Sequence, residues 1–510
     1  MNKPGAKKTV VLLPTDNRPI TYIFPQQICQ LAGLNVLVPP RNLMGSLFAP
    51  TNSEELRQWL ETAVSQIESG AILICIDSLL YGGLIPSRRG KENLEAILER
   101  AAQIVSLKQE AGDSIKIYVQ SSIMRISDNY DNTEEKLYWS KYGREIFNWS
   151  QLLHRQEIGL LKSEQELENA EKLIDKNTRD DYLGTRERNF RVNQKIIDYV
   201  KSGDIDFLIF SQDDSGHYGL NVSEKNKLIA VAQAKNIQNV LAYPGADEML
   251  MTLIARYLNE ERRQATTIAL HYSAYNGKEI ASNYEGQNIG DSMEHQSKAQ
   301  GYKIVEADIK DKVDFHVIVH TGTDIQGDHV WLPGLKDLRK VDSEKSVQRA
   351  IQLIEQADCP VVICDLAYSN GADSVLIDLL LERPQLFSKI WAYGGWNTTG
   401  NAIGSALAAG AACLYAKANN GLDDLIRKKL LFIRLMDDWA YQTQVRREMQ
   451  PDKINTEQEQ AKLSKLMDAC ANKLATALRF HPGPIQYGSP WRRTFEIEIN
   501  LYSQIATTMP

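Results

Sequence analysis

Sequence signatures of several common enzyme classes are missing from this chain of 510 residues. It contains no GxGxxG and no GxxxxGKS/T segment, so neither a dinucleotide-binding turn nor a P-loop is predicted. The absence of GxSxG disfavours a serine hydrolase built on a nucleophile elbow. The six cysteines are scattered, without a CxxC pair or a Cys/His spacing that indicates structural zinc. We therefore predict no cofactor and no metal, with one metal-dependent alternative kept open below.

Long apolar runs and an excess of positive charge are also absent. No apolar stretch approaches the roughly 20 residues of a membrane span, and the apolar run at 9–13 is too short for the core of a signal peptide. The net charge of −7 argues against a nucleic-acid partner, because phosphate binding requires a basic face. The sequence thus predicts a cytoplasmic protein with no membrane and no nucleic-acid partner, and it leaves the oligomeric state open.

Short apolar segments alternate with amphipathic ones, a pattern typical of an α/β protein with a mostly parallel sheet. The predicted strands are 9–14, 35–38, 71–76, 115–119, 206–210, 239–242, 267–270, 315–319, 361–364 and 390–393. The clearest predicted helices are 53–68, 91–110, 223–234 and 343–356. A polar insertion at 131–202 predicts two or three surface helices, which serve either as a lid or as surface packing.

The length predicts more than one domain. We predict a TIM-barrel-like α/β domain at 1–262 that carries the helical insertion 131–202, a smaller Rossmann- or flavodoxin-like α/β domain at 263–420, and a helical C-terminal segment at 421–510. The charged run at 259–263 separates two series of strands and helices and sets the first boundary. A single distorted barrel fed by both series is the alternative.

The most informative stretch is DFLIFSQDDSGHYGL at 206–220, where an apolar strand ends in two adjacent carboxylates. Ligands bind at this edge of open α/β sheets and of barrels. Two carboxylates held together repel, so one tends to keep its proton at neutral pH. Asp213 and Asp214 are therefore the candidate catalytic acid/base pair. In the structural alternative, Asp214 caps the next helix and Asp213 forms a turn.

Polar residues follow several other predicted strands at the same position. In a parallel sheet these strand ends converge on one edge. The candidate substrate-binding residues are Asp16, Asn17, Arg18, Asp77, Tyr81, Arg125, His217, Asp247, Glu248, Trp396 and Asn397. Their mixture of aromatic faces, carboxylates and amides suits a carbohydrate or another polyhydroxylated ligand. Helix capping or core packing is the alternative for any one of them.

The sequence leaves two other function classes open. A metal-dependent hydrolase or lyase is one, because the same acidic edge offers oxygen ligands. His316 and His320 also lie four residues apart on one face of a predicted strand. A non-catalytic sugar-binding protein is the other.

Five blocks of the sequence resemble a bacterial family recorded as domain of unknown function 4127. They are TDNRPI with the downstream VPP, DSLLYGGLIPSR, QDDSGHYG, PGADE and YGGWNTTGNAIG, which together run from about residue 10 to 410. This resemblance implies no mechanism. The QDDSG segment is also similar to the paired aspartates of substrate-assisted hexosaminidases of the O-GlcNAcase type. That resemblance implies that Asp213 orients the substrate acetamide and that Asp214 is the general acid/base.

The leading hypothesis is a hydrolase of the glycosidase type. Its substrate is a small molecule or an oligosaccharide that contains a sugar or an N-acetyl-sugar.

Overall fold

The computed structural model describes residues 7–330, 343–419 and 421–502. The strands, numbered along the chain, are β1 (Thr9–Leu13), β2 (Asn35–Leu37), β3 (Gly70–Cys75), β4 (Lys116–Ile123), β5 (Phe207–Gln212), β6 (Val240–Pro244), β7 (Thr266–Tyr272), β8 (Tyr302–Ile304), β9 (Phe315–His320), β10 (Gly327–Asp328), β11 (Val361–Asp365), β12 (Tyr368–Ser369), β13 (Ile390–Gly394), β14 (Ile485–Gly488) and β15 (Glu498–Leu501).

The α-helices are α1 (Phe24–Leu31), α2 (Ser53–Val64), α3 (Asp77–Tyr81), α4 (Leu84–Arg89), α5 (Leu94–Ala111), α6 (Trp139–Glu157), α7 (Glu164–Lys172), α8 (Lys176–Ser202), α9 (Leu220–Ala234), α10 (Met249–Glu260), α11 (Ile289–Ala299), α12 (Glu344–Gln356), α13 (Ser374–Glu382), α14 (Thr399–Asn419), α15 (Asp424–Leu435) and α16 (Glu457–Leu478). Two π-helical segments lie at Pro19–Ile23 and Met436–Val445.

Each strand predicted from the sequence is present, with small shifts at most ends and a longer β4. The four predicted helices are also confirmed, as α2, α5, α9 and α12. The chain is therefore a mixed α/β protein with mostly parallel sheets, as predicted. Short apolar runs and helical periodicity are local signals, and they determine these elements directly.

The chain forms two compact units. The first contains residues 1–17, 34–253 and 284–287, and the second contains residues 18–33, 254–283 and 288–510. After β1 the chain passes into the second unit at residue 18 and re-enters the first unit at residue 34. From residue 254 it belongs to the second unit, except for the short segment 284–287, which belongs to the first.

The first unit holds a six-stranded sheet in the order β2-β1-β3-β4-β5-β6, with every neighbouring pair parallel. The central strands β3 and β5 are buried nearly throughout, as their continuous apolar runs require. Among the described residues β2 pairs only with β1 and β6 only with β5, so the sheet is open. The TIM-barrel-like closure predicted here is thus absent from the described residues. Strands alternate with helices in both architectures, so the pattern does not distinguish them.

The insertion at 131–202 forms three helices, α6, α7 and α8, which agrees with the two or three predicted. Its apolar core includes Trp139, Trp149 and Tyr182. Met124 and Ile126, just beyond β4, belong to the same core. The insertion therefore holds the chain on both sides of Arg125 in place.

The second unit holds a five-stranded parallel sheet in the order β13-β11-β9-β7-β8. Helix α14 packs closely on it, because a Cβ atom on Gly410 would lie 2.8 Å from Val362 Cγ2. The small residues of α14 thus allow a close approach to the sheet. The C-terminal helices share one apolar core with β11, α12 and α13. In the part of the chain that the structure describes, no helix is both long enough and apolar enough to cross a membrane.

Candidate active site

The Asp213–Asp214 pair lies directly after β5, in a loop held by hydrogen bonds within the first unit. Ser215 donates from its backbone N–H to Tyr284 O (2.8 Å) and from Oγ to Glu285 O (2.9 Å). Asp214 has a left-handed backbone with φ of 33°. Helix α9 begins only at Leu220, and its N-cap makes no side-chain hydrogen bond. Asp214 therefore does not cap that helix.

Two arginines contact the pair. Arg88 Nη2 lies 2.5 Å from Asp213 Oδ2, and the Arg88 side chain is only 1% exposed. Arg125 Nη1 lies 3.3 Å from Asp214 Oδ2 and 3.9 Å from Asp213 Oδ2. Both carboxylates thus face the same guanidinium group, as an acid/base pair in one cleft requires.

Two glutamates complete the cluster. Glu135 Oε1 lies 2.7 Å from Arg125 Nε and 3.4 Å from Arg88 Nη1, and Glu134 Oε2 lies 3.1 Å from Arg125 Nη2. Arg89 fixes their loop, because its guanidinium donates to the Glu135 carbonyl (2.8 Å). Four carboxylates therefore share two guanidinium groups, and the cluster carries an excess of negative charge when all are ionised.

This excess acts on the proton affinity of Asp214. Burial, and then the negative charge of Asp213, raise the pKa of Asp214 to about 7, against the opposing effect of Arg125 and Arg88. About one third of the Asp214 side chain stays exposed. A carboxyl group that holds its proton near neutral pH and also reaches solvent can donate that proton to a ligand.

A polar patch underlies the pair at the ends of β4 and β5. Gln120 Nε2 donates to Ser211 Oγ (2.7 Å) and to Ser122 Oγ (2.9 Å). Gln212, the residue before Asp213, is 1% exposed, and within the described residues neither atom of its amide has a hydrogen-bond partner. A buried amide without a partner is costly.

Three further carboxylates gather at the neighbouring strand ends. Burial, together with the negative charges of Asp77, Asp16 and Asp247, raises the pKa of the Cys75 thiol to about 12, against the opposing effect of a hydrogen bond with Thr15. Burial also raises the pKa of Asp77 to about 6, although Ser122 donates to its carboxylate from the backbone N–H (3.0 Å). Asp16 follows β1 and Asp77 follows β3, so these two lie where the strand order reverses, whereas Asp247 follows the edge strand β6.

Other candidates of the first unit have local roles. Asn17 is held through its own backbone, because its carbonyl oxygen accepts a hydrogen bond from Arg41 Nε (3.0 Å). Tyr81 is buried under the guanidinium of Arg188, 5.6 Å from the ring centre. Glu248 accepts from the Ala246 N–H (3.0 Å) at the start of α10. His217 is exposed.

Three candidates, Arg18, Trp396 and Asn397, belong to the second unit. The Arg18 guanidinium lies 4.8 Å from the ring centre of Trp491. Trp396 is buried and packs edge-to-face on Phe495. Asn397 has a left-handed backbone, and its carbonyl accepts from the Asn370 N–H. These contacts are the core packing and turn formation that the sequence left as alternatives.

Sequence reasoning missed four residues of the cluster: Arg88, Glu134, Glu135 and Gln212. Arg88 lies inside the DSLLYGGLIPSR block, and the two glutamates open the polar insertion. One local signal for Gln212 is its place as a polar residue at the end of a mostly apolar strand. Within the described residues, no group of three or more His, Cys, Asp or Glu side chains is arranged to hold a metal ion.

Comparison with known proteins gives one result. A family model described as "Protein of unknown function (DUF4127)" matches residues 10–500. A search of curated proteins and a search of solved structures each gave no match.

Proposed function

We propose that this chain, which belongs to the DUF4127 family of proteins of unknown function, is a hydrolase of the glycosidase type that acts on a sugar or an N-acetyl-sugar derivative. One observation carries the proposal. Asp214 combines a raised pKa with partial exposure, directly beside a second carboxylate that is ion-paired with Arg88. Glycosidases use such a pair, one carboxyl group as proton donor and one as carboxylate.

The contacts suggest a division of roles. Asp214 donates its proton to the leaving oxygen, since its proton is retained to near neutral pH. Asp213 stays on Arg88 and orients the substrate, the role that the similarity to substrate-assisted hexosaminidases gives it. In such a mechanism the acetamide oxygen of the substrate attacks the anomeric carbon while the bond to the leaving oxygen breaks.

Gln212 adds support for a ligand rich in hydroxyl and amide groups. Its amide can both donate and accept, and it lies in sequence directly beside the pair. A sugar hydroxyl or an acetamide supplies matching partners, whereas an apolar ligand would leave the amide unsatisfied.

A finer fold assignment also belongs to this proposal. Numbered along the second sheet alone, its strands have the order 2-1-3-4-5. That order is typical of flavodoxin-like sheets, and we assign the second sheet to that class.

The test replaces Asp214 by Asn and measures turnover of chromogenic N-acetylhexosaminides. We expect kcat to fall by about 10²- to 10⁴-fold, the usual contribution of a general acid. Asp113→Asn is the matched control, since Asp113 is exposed and precedes β4 at the other end of the strand. Undiminished turnover in Asp214→Asn contradicts the acid role, and a wild-type protein inactive on every glycoside tested contradicts the substrate class.

A metal-dependent hydrolase or lyase is the second candidate, because the charges of Asp16, Asp77 and Asp247 all act on Cys75, although the described residues hold no group of acids, histidines or cysteines arranged around a metal ion. Carboxylate oxygens suit Mg²⁺ or Mn²⁺. Elemental analysis of the purified protein, together with turnover before and after chelation, separates the two. Activity that survives chelation excludes the metal-dependent reaction.

A further inference from the structure

The second unit has its own polar group at the edge of its sheet. In the second sheet β7 lies between β8 and β9. The chain adds β8 on one side of β7 and then β9 on the other side, so the strand order reverses between β7 and β9. Ligands of open α/β sheets bind outside the carboxyl ends of the strands at such a point. Ser273 directly follows β7 and His320 ends β9, so both lie there.

These two side chains form a relay with a carboxylate. Ser273 Oγ lies 3.0 Å from His320 Nδ1, and His320 Nε2 lies 3.0 Å from Asp373 Oδ2. With the ring proton on Nε2, His320 donates to Asp373 and accepts from the serine hydroxyl. A nucleophile that is hydrogen-bonded to a base, with the base oriented by a third group, is the general signature of nucleophilic catalysis.

The surrounding contacts fix each member of the relay. Thr321 donates from its backbone N–H to Ser273 Oγ (3.0 Å), which stabilises negative charge on that oxygen. Asp373 caps α13 through Val375 N–H (2.9 Å), which leaves its other oxygen for His320. Asp365 accepts from Asp373 N–H (2.8 Å) and from Tyr393 OH (2.6 Å), so the loop that carries Asp373 is anchored as well.

Charge and access agree with this arrangement. Burial lowers the pKa of His320, but the hydrogen bond that His320 donates to Asp373 and the charges of Asp365 and Asp373 outweigh this effect and raise the pKa above its ordinary value. Of the three side chains Ser273 is the most exposed, at 6%, against 2% for Asp373 and none for His320, so an ester would reach the relay from the serine side.

We propose that Ser273, His320 and Asp373 form a nucleophilic relay that cleaves small carboxylic esters, a second activity independent of the Asp213–Asp214 site. The Ser273 oxygen forms a bond to the acyl carbon, its proton moves to His320 Nδ1, and the bond to the leaving oxygen breaks as that oxygen takes the proton. Water then attacks the acyl-serine, its proton moves to His320 Nδ1, and Ser273 recovers a proton as the acid leaves. The relay lies outside any GxSxG motif: Ser273 follows β7, His320 ends β9 and Asp373 is the N-cap of α13.

The experiment uses 4-nitrophenyl acetate with the full chain. We expect a burst of one nitrophenolate per chain and an acetyl group on Ser273 in the peptide map. Ser273→Ala abolishes both, and His320→Gln slows acylation by about 100-fold or more. Asp373→Asn retains an oxygen to cap α13 and loses the charge, so it slows acylation without unfolding the helix.

Two controls make the result decisive. Ser405→Ala removes another buried hydroxyl of the second unit, bonded only to a carbonyl of its own helix, and leaves the burst unchanged. Asp113→Asn, at an exposed position of the first unit, also leaves it unchanged. The burst and glycoside turnover are measured on different substrates, so failure of the glycosidase proposal and failure of this one are distinguishable. An unmodified Ser273 in the folded wild type, or equal acylation in His320→Gln, overturns the relay. The wild-type map decides the matter even where a variant fails to fold.

Discussion

Asp213 Oδ2 and Arg88 Nη2 lie 2.5 Å apart, although 125 residues separate them in the sequence. Arg88 is in α4, after β3, and Asp213 directly follows β5. The ion pair therefore ties together the loops of two strands that flank β4. It places a fixed positive charge beside Asp213, while Asp214 keeps a raised pKa.

Removing Arg88 should be costly for folding. Arg88→Met leaves Asp213 without its nearest cation and Glu135 with one cation fewer, in a largely buried setting. We expect the free energy of unfolding to fall by about 3–5 kcal/mol, measured by urea denaturation. Arg57→Met, which breaks more exposed ion pairs with Glu54 and Glu61, should lower the free energy of unfolding far less. Equal losses in the two variants would show that the Arg88 pair has no special role.

The raised pKa of Asp214 makes stability depend on pH. A carboxyl group with a pKa of about 7 in the folded chain and about 4 in the unfolded chain binds more protons when folded. Its contribution to stability is therefore fully present below pH 4 and is lost as the pH rises to about 7. We subtract the free energy of unfolding of Asp214→Asn from that of the wild type. This difference is expected to decline as the pH rises from 4 to about 7. A difference that stays constant or grows with pH contradicts the raised pKa.

Gly286 supports the loop that carries the pair. Its φ is +60°, and a Cβ atom there would lie 2.5 Å from the backbone C and O of Gly216. Gly286→Ala should lower the free energy of unfolding by about 1–3 kcal/mol more than Gly203→Ala. It should also lower turnover, because the Asp213–Asp214 loop is displaced. Gly203 has a similar left-handed φ of +89° but open space around it, so it isolates the steric effect. Thermal melts and turnover of both variants test this, and equal behaviour would refute it.

Gln212 should show a trade between stability and activity. Gln212→Leu removes a buried amide without partners, so we expect the protein to gain up to about 1–3 kcal/mol in stability while turnover falls. Asn193→Leu is the control, since both ends of that buried amide are bonded, to Ser121 Oγ and to the Ser122 carbonyl, and its loss should destabilise. A Gln212→Leu variant with unchanged turnover would remove Gln212 from the site.

The sequence allowed the strands, the main helices and the position of the Asp213–Asp214 pair to be predicted, because each depends on residues close together in the chain. Closure of the first sheet was not predictable in the same way, since it depends on whether β2 and β6 pair. Arg88 was missed for a related reason, as it meets Asp213 only through the fold. Ser273 likewise reaches His320 across 47 residues, and His320 reaches Asp373 across 53. No local motif encodes such contacts.

The most direct test of the central claim is the pKa of the Asp214 carboxyl group in the folded protein. Carbon-13 NMR of aspartate labelled at the carboxyl carbon, compared between wild type and Asp214→Asn, isolates its signal. We expect one resonance that titrates near pH 7 and is missing from the variant. If the missing resonance instead titrates near pH 4, the ordinary value for aspartate, Asp214 is ionised at neutral pH and cannot act as the proton donor.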